Sequence, residues 1–173
     1  MRILEATASR RSIWYQKNHP FVTFMDIRSG SFDTKTKNMK FKSSRRFKIN
    51  PDVVSGWKDA PFPDNYFDMI IFDPPHIIRK KDKKITSSLE VCYGYFYEDN
   101  YKIIIKEGVN KLFQILRPEG VFILKWCEVD KKVDEILKLF PYKPLVGTQT
   151  GQNNQTHWIL FLKYRVEKNL KEW

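Results

Sequence analysis

The sequence is poor in the residues that cross-link a chain or ligate metals. Its 173 residues include two cysteines and three histidines. The cysteines, Cys92 and Cys127, are too few for a disulfide framework. The scattered histidines lack the spacing of a metal site, so we expect no metal. Free thiols and the lack of an export signal at the N-terminus predict a reducing, cytoplasmic setting.

Long hydrophobic runs are also missing. No apolar stretch approaches the roughly 18 residues of a membrane-spanning helix, so we expect no membrane association. Hydrophobic residues make up 42% of the chain and aromatic residues 15%, which excludes a chain disordered throughout. The length fits one core. We predict a single domain over residues 1–165 and a polar C-terminal tail over 166–173.

Acidic residues are outnumbered, with 20 Asp and Glu against 31 Lys and Arg and a net charge of +11. Residues 28–48 and 79–84 together carry the whole excess. Clustered positive charge favours a polyanion such as nucleic acid, DNA rather than RNA. A solvated, solubilising loop is the alternative. The candidate nucleic-acid contacts are Lys40, Lys42, Arg45, Arg46, Lys48, Arg79, Lys80 and Lys81.

Short apolar runs alternate with amphipathic segments, which is typical of a parallel α/β sheet. The patterns predict strands at 3–6, 21–27, 69–72, 121–126, 145–146 and 158–163. They predict helices at 11–18, 51–55 and 98–116 and one beginning near Asp130. Met39–Lys42 and Arg46–Ile49 alternate and predict a hairpin with one basic face. Residues 77–97 are predicted as a long loop.

The tetrapeptide Asp73-Pro74-Pro75-His76 directly follows the apolar run 69–72. That run predicts a buried parallel strand, and open α/β sheets bind ligands where such strands end. The two prolines lack N–H groups and end the strand ladder. A carboxylate beside rigid carbonyls forms an acceptor-only pocket suited to an NH2 group, with the His76 ring beside it. A proline-rich turn after a core strand is the alternative interpretation.

This pattern resembles the Asp/Asn-Pro-Pro-aromatic signature of S-adenosylmethionine (SAM)-dependent amino methyltransferases, above all those acting on adenine N6 or cytosine N4. The resemblance continues through Ile3–Ala6, Phe24–Arg28, Asn50–Val54, Leu116–Gly120 and Thr156–Trp158. Together these segments look like the small single-domain methyltransferases often carried by bacteriophages. The resemblance implies a Rossmann-like class I methyltransferase fold, α/β, with a mostly parallel sheet, helices on both faces and a reversed C-terminal hairpin.

The resemblance also implies a reaction and a site. SAM would be the cofactor, and the acceptor an exocyclic amine of a nucleic-acid base, with adenine N6 in DNA favoured. Asp73 and a carbonyl near Pro74 would hold the amine, and His76, in place of the usual aromatic residue, would stack on the base beside Pro75. The implied cofactor contacts are Glu5, Ala6, Thr7, Ser9, Asp26, Ile27 and Asp52.

Two features depart from the family's larger members. Ser9 stands where the cofactor loop normally has glycine, and no glycine precedes Gly30. The chain has no room for a separate target-recognition domain, so sequence recognition would fall to its loops or to a partner subunit.

Three alternatives stay open at this point. The chain is a methyltransferase for an amine of RNA, protein or a small molecule; or a non-catalytic relative that kept the fold and the basic surface; or a nucleic-acid-binding module with a chance signature. The rings of Tyr93, Tyr95, Phe96 and Tyr97 either stack on a flipped base or pack on one another.

Overall fold

The computed structural model describes residues 1–34, 45–85, 87–151 and 155–164. The strands are β1 (Ile3–Glu5), β2 (Val22–Asp26), β3 (Gly30–Asp33), β4 (Arg46–Ile49), β5 (Val53–Val54), β6 (Phe67–Phe72), β7 (Ile78–Arg79), β8 (Phe96–Tyr97), β9 (Leu116–Cys127), β10 (Val146–Thr150) and β11 (Thr156–Leu162). The α-helices are α1 (Ser88–Tyr93), α2 (Tyr101–Ile115) and α3 (Val133–Leu137), and a 3-10 turn spans Trp57–Asp59.

Seven strands form one sheet in the order β10-β11-β9-β6-β1-β2-β5. The five strands from β9 to β5 run parallel, and β11 runs antiparallel to both β9 and β10. The mostly parallel sheet and the reversed C-terminal hairpin predicted from the sequence are therefore confirmed. Strand β6 lies at the centre, where Ile70 pairs with Leu4 on one side and Phe122 on the other.

Helix α2 covers the centre of one sheet face. Its apolar positions Ile105, Val109, Leu112 and Phe113 are buried in the main core cluster with residues of β6 and β9. Fully burying one such side chain contributes about 1.5–3 kcal/mol to folding. The 3-10 turn and α3 add Trp57 and Ile136 to the same cluster. The predicted helix 98–116 is thus confirmed, and its apolar stripe is what attaches it to the sheet.

The opposite sheet face is covered differently from the prediction of helices on both faces. Over β1 and β2 a smaller cluster forms from Ala8, Val22 and Phe24, with Ile3 and Trp14 packed against it. Within the described ranges, no helical residue belongs to this cluster. The predicted helix at 11–18 is wrong, because successive turns replace it.

Two further predictions are wrong, and two others are not tested. Residues 51–55 contain strand β5 and no helix, since Val53 and Val54 pair with β2. Strand β4 pairs with β3, whereas its predicted partner, 39–42, lies outside the described residues, as does the tail 166–173. Asp130 does not cap α3; its carboxylate accepts a hydrogen bond from the Ile78 amide at 2.8 Å.

Residues 77–97 are ordered into elements, with residue 86 outside the description. Strands β7 and β8 pair in parallel, Ile78 with Phe96. Ser87 and Glu90 form a reciprocal capping box at the start of α1, and Gly94, with φ of 82°, ends it. The capping signal was present in the sequence, but the β7–β8 pairing joins residues too far apart to be inferred locally. This segment packs over the carboxyl edge of the sheet.

None of the helices described is long and apolar enough to cross a membrane.

Candidate active site

A cavity of about 400 Å³ opens at the carboxyl edge of the parallel strands. Its walls come from the residues after β1, β2, β5 and β6 and from residues 93–96. This volume lies within the range of small-molecule and cofactor pockets. The predicted site residues that line it are Glu5, Ala6, Thr7, Ser9, Asp26, Ile27, Asp73 and Pro75.

Three predicted residues do not line this cavity. Asp52 faces away, accepting a hydrogen bond from the Phe24 amide at 2.8 Å, with Arg11 at 3.4 Å. Pro74 is buried. His76 packs edge-on against Trp126, with ring centroids 5.2 Å apart. Asp52 therefore lies outside the cavity in which it was predicted to contact the cofactor. The His76 ring, predicted to stack on the base, packs against Trp126.

Asp73 stands in the cavity wall with both carboxylate oxygens occupied. Lys125 Nζ lies 2.7 Å from Oδ2, and His76 Nε2 lies 3.2 Å from Oδ1. Burial raises the pKa of Asp73, but the hydrogen bond from His76 and the charge of Lys125 outweigh it, and the pKa stays below its ordinary value. The carboxylate is therefore ionised and fixed in direction. Lys125 comes from β9, too far along the chain for the sequence pattern to pair it with Asp73.

Thr7 connects the loop after β1 to the residue after β6. Its Oγ1 accepts a hydrogen bond from the Asp73 amide at 2.9 Å and lies 3.2 Å from Glu5 Oε1, to which it donates. One hydroxyl group thus links the Glu5 carboxyl group to the backbone of Asp73.

Glu5 is 1% exposed, and its hydrogen bonds come from neutral donors. Trp14 Nε1 donates to its Oε2 at 2.8 Å, and Thr7 is the second donor. Burial raises the pKa of Glu5 to about 8; the Trp14 hydrogen bond offsets part of this, and the negative charge of Asp73 adds to it. Near neutral pH the buried side chain is therefore mostly protonated.

Ser9 adopts the conformation for which glycine was expected, with φ of 43°. Its amide donates to Asp26 Oδ2 at 2.8 Å, and its hydroxyl donates to the Cys92 carbonyl at 3.0 Å. Left-handed backbone is unfavourable for residues other than glycine, so these bonds offset a local strain. The loop after β1 thus keeps its turn without glycine, because Asp26 Oδ2 accepts a hydrogen bond from the Ser9 amide.

Asp26 also anchors Arg28. Its Oδ1 accepts from the Arg28 amide at 2.8 Å and from Nε at 3.2 Å. Arg28 Nη1 in turn donates to the carbonyls of Val91 and Cys92, both at 3.1 Å. Asp26 is therefore a brace between the loop after β1 and helix α1, in addition to lying in the cavity wall.

Several lining residues were not among the predicted site residues. Trp57 packs against Gly108 of α2, so closely that a Cβ added there would lie 1.9 Å from the Trp57 ring. Tyr93, Tyr95 and Phe96 line the wall as well, and Phe96 also packs on Trp57 at 6.0 Å. The others are Ala8, Ser12, Ile13, Arg28, Gly56, Lys58, Asp59, Gly94 and Ile104.

The predicted basic surface divides into two kinds of residue. Arg79 is 8% exposed and pairs with buried Glu90 at 2.8 Å, with its guanidinium 4.6 Å from the Tyr95 ring. Its predicted contact with nucleic acid is wrong, because Glu90 compensates the Arg79 charge inside the fold. Lys81 is exposed but lies 2.7 Å from Asp99. Lys80 is exposed.

The β3–β4 hairpin presents exposed Arg45, Arg46 and Lys48. It stands beside the cofactor loop, since Phe47 lies 5.4 Å from the Arg10 guanidinium. The hairpin therefore lies near the loop after β1, with Arg46 and Lys48 on the face of β4 opposite to Phe47 and exposed. Lys40 and Lys42 lie outside the described residues.

Within the described parts of the chain, no group of His, Cys, Asp and Glu is arranged to hold a metal ion.

Comparisons with known proteins bear on the fold. No protein-family model matches the sequence, and no curated protein matches it. Among solved structures, a protein from Pyrococcus horikoshii OT3 aligns at TM-score 0.58 and 11% identity, covering 95% of this chain and 82% of that one. A SAM-dependent methyltransferase from Aquifex aeolicus aligns at 0.51 and 11%, covering 94% and 82%.

A third structure is the 1,6-didemethyltoxoflavin-N1-methyltransferase of Burkholderia thailandensis, with bound 1,6-didemethyltoxoflavin and S-adenosylhomocysteine. It aligns at TM-score 0.52 and 13% identity, covering 94% of this chain and 71% of that one. These similarities concern the arrangement of the backbone. Together with the strand order described above, they show that the chain has the Rossmann-like fold of class I SAM-dependent methyltransferases.

Proposed function

We propose that the chain is a SAM-dependent methyltransferase that acts on an exocyclic amine of a nucleic-acid base, with adenine N6 in DNA as the favoured target. In this proposal it is a small, phage-type member of the Asp-Pro-Pro amino methyltransferases. One observation carries the proposal. The Asp73 carboxylate lines the same cavity as the loop after β1 and Asp26, so acceptor and cofactor groups share one hollow.

The residues of the cavity fit the cofactor. Its volume suits a ligand of this size. The wall combines apolar surface from Ile13 and Ile27 with carboxyl groups from Glu5 and Asp26, which suit the apolar and the cationic or hydroxyl-bearing parts of SAM. When bound, SAM supplies an electrophilic methyl group.

In this proposal Asp73 orients the acceptor. An ionised carboxylate accepts an N–H of the amine and turns the nitrogen lone pair toward the methyl group, and orientation of this kind is a large source of rate. Lys125 and His76 keep Asp73 ionised and fixed, so they are positioning residues. Pro75, in the wall beside Asp73, has no N–H group to compete for that carboxylate.

Nucleic acid is the proposed substrate because of the exposed basic residues on the β3–β4 hairpin, which lies near the loop after β1. Arg45, Arg46 and Lys48 on the hairpin would contact phosphates without reading sequence. The target base must leave its stack, at a cost of about a few kcal/mol. Tyr93 and Tyr95 in the cavity wall offer rings for stacking on the extruded base. Sequence recognition would come from loops of this chain or from a partner subunit.

A second candidate is a non-catalytic relative that binds nucleic acid. It is favoured by the occupancy of the acids, since Asp26 is committed to Ser9 and Arg28 and Asp73 to Lys125. In an active enzyme, a ligand that enters the cavity must either displace these partners from the two carboxylates or share the carboxylate oxygens with them.

A methyl-transfer assay separates the two candidates. Purified protein is incubated with tritiated-methyl SAM and unmethylated duplex DNA, single-stranded DNA or RNA, and label in the nucleic acid is counted. We expect label in DNA adenine and its loss in Asp73→Ala, with DNA affinity retained. Nucleic-acid binding without SAM binding or label would favour the non-catalytic relative. Label confined to RNA would correct the substrate.

A further inference from the structure

Two buried acids, Glu5 and Asp26, and the mostly buried Asp73 line the cavity, and they differ in their partners. Asp26 pairs with Arg28 and Asp73 with Lys125. Glu5 has no Lys, Arg or His partner anywhere in the described residues. Its two hydrogen-bond donors, Trp14 and Thr7, are neutral. Glu5 is therefore the buried carboxyl group in this wall that lacks a compensating positive charge.

A buried carboxylate without a cation is costly, so the group holds a proton instead. Burial is the main reason that the pKa of Glu5 is raised to about 8, and the Asp73 charge adds to it. A positive charge entering the cavity would reverse this balance, because it favours the ionised form. The cavity thus contains an acid whose ionisation depends on the charge of the ligand.

We propose that Glu5 loses its proton in response to the sulfonium charge of SAM, so that the cavity discriminates between SAM, which has a net positive charge, and S-adenosylhomocysteine, which keeps the α-ammonium and α-carboxylate groups but has a neutral sulfur. The inference rests on the proposed function, since it takes SAM as the ligand. Binding of the cation releases a proton, and binding of the product releases none.

The proton balance closes over one turnover. The amine nitrogen forms a bond to the methyl carbon, the carbon–sulfur bond breaks, and sulfur keeps the electron pair. The amine loses one proton as the sulfonium charge disappears, and the Glu5 carboxylate takes up one proton. With Glu5 neutral again, the product is held less tightly, which favours its release.

Other titratable groups near the cavity have to be accounted for. Asp73 is ionised and paired throughout, so it contributes a constant negative charge. The remaining titratable groups in the wall belong to the strand ends, the 3-10 turn and the end of α1. They are Asp26, Arg28, Lys58, Asp59, Tyr93 and Tyr95. Arg28 compensates Asp26, and Asp59 is exposed.

Titration calorimetry in two buffers of different ionisation enthalpy tests the inference. At neutral pH we expect SAM to release close to one proton and S-adenosylhomocysteine close to none. The ratio of their affinities should rise by up to tenfold per pH unit below about 8 and level off above it. In Glu5→Gln both the proton release and the pH dependence of the ratio should disappear, whereas Asp134→Asn, at an exposed position of α3 outside the cavity wall, should retain them.

The outcomes separate this inference from the proposed function. If neither ligand binds, both fail. If both bind with equal proton release and a ratio that does not change with pH, only the inference is overturned. Should Glu5→Gln not fold, carbon-13 NMR of the Glu5 carboxyl group in the wild-type protein gives the same answer. Its pKa should fall when SAM binds and stay near 8 with S-adenosylhomocysteine; an equal response to both would contradict the inference.

Discussion

Lys125 Nζ lies 2.7 Å from Asp73 Oδ2, joining the residue that follows β6 to a residue near the end of the neighbouring strand β9. The pair is mostly buried, with the Asp73 side chain 12% exposed. Removing one partner of such a pair leaves a charge that is costly to keep. The Asp-Pro-Pro-His signature is therefore functional only as part of a three-residue arrangement with His76 and Lys125.

Replacing Lys125 with Met should raise the pKa of Asp73 and free its carboxylate to reorient. Misplacement of an orienting group by an ångström costs about 100-fold in rate, and we expect a loss of that order in methyl transfer. The acid limb of the pH–rate profile should move to higher pH. Lys102→Met is the matched control, because Lys102 pairs with Glu135 on the surface at 3.3 Å, where such pairs contribute little. Equal rates in both variants would show that Lys125 does not position Asp73 for the reaction.

The hairpin charges should determine DNA affinity. Reversing Arg45, Arg46 and Lys48 to Glu should weaken binding and reduce the slope of log affinity against log salt by about 0.9 per lost phosphate contact. The control reverses Lys106, Lys138 and Lys143, which are also exposed. A salt slope that changes equally in both variants would show that only net charge matters.

Gly108 should be required for the cavity wall. A methyl group at this position would meet the Trp57 ring at 1.9 Å, and overpacking of this kind costs about 1–3 kcal/mol. Gly108→Ala should therefore lower the free energy of unfolding, despite alanine's better helix propensity. Asn110→Ala, at an exposed position of α2, should be neutral or slightly stabilising. Denaturant unfolding of the two variants measures this difference.

The buried Glu5 should make stability fall as pH rises. Below pH 4.5 both the folded and the unfolded chain hold the proton, and the stabilisation is complete. Between 4.5 and about 8 only the folded state keeps it, so the free energy of unfolding decreases, by an amount on the order of a few kcal/mol. Glu5→Gln should lose this trend and be more stable than wild type above pH 8. A wild-type curve that is flat across this window would contradict the assigned environment.

Local patterns were enough to predict the sheet and the position of the signature. Residues 69–72 of strand β6 are an apolar run, and the apolar stripe of α2 repeats at helical spacing. Both signals lie within one element, so the sequence contains them whole. Asp73 lines the cavity for the reason inferred from the sequence, namely that it follows a central parallel strand.

The failures all involve contacts between distant residues. Arg79 lies in a basic run that is typical of a solvated loop, but it is buried and pairs with Glu90 of α1. Residues 11–18 have apolar and polar side chains compatible with a helix, yet Ser9 and Arg11 take positive φ values that start a series of turns. Asp26 determines the turn at Ser9 from another strand, which no local pattern encodes.

The most direct test of the central claim is calorimetric binding of SAM to the wild-type protein and to Gly56→Phe. Gly56 lines the cavity in an extended conformation with φ of −76°, so a side chain there fits the backbone and fills the hollow. Val54→Phe, outside the cavity wall, is the control. We expect SAM to bind to the wild type and to Val54→Phe but not to Gly56→Phe, whose stability should be unchanged. Equal binding by all three proteins would place the cofactor elsewhere and contradict the account.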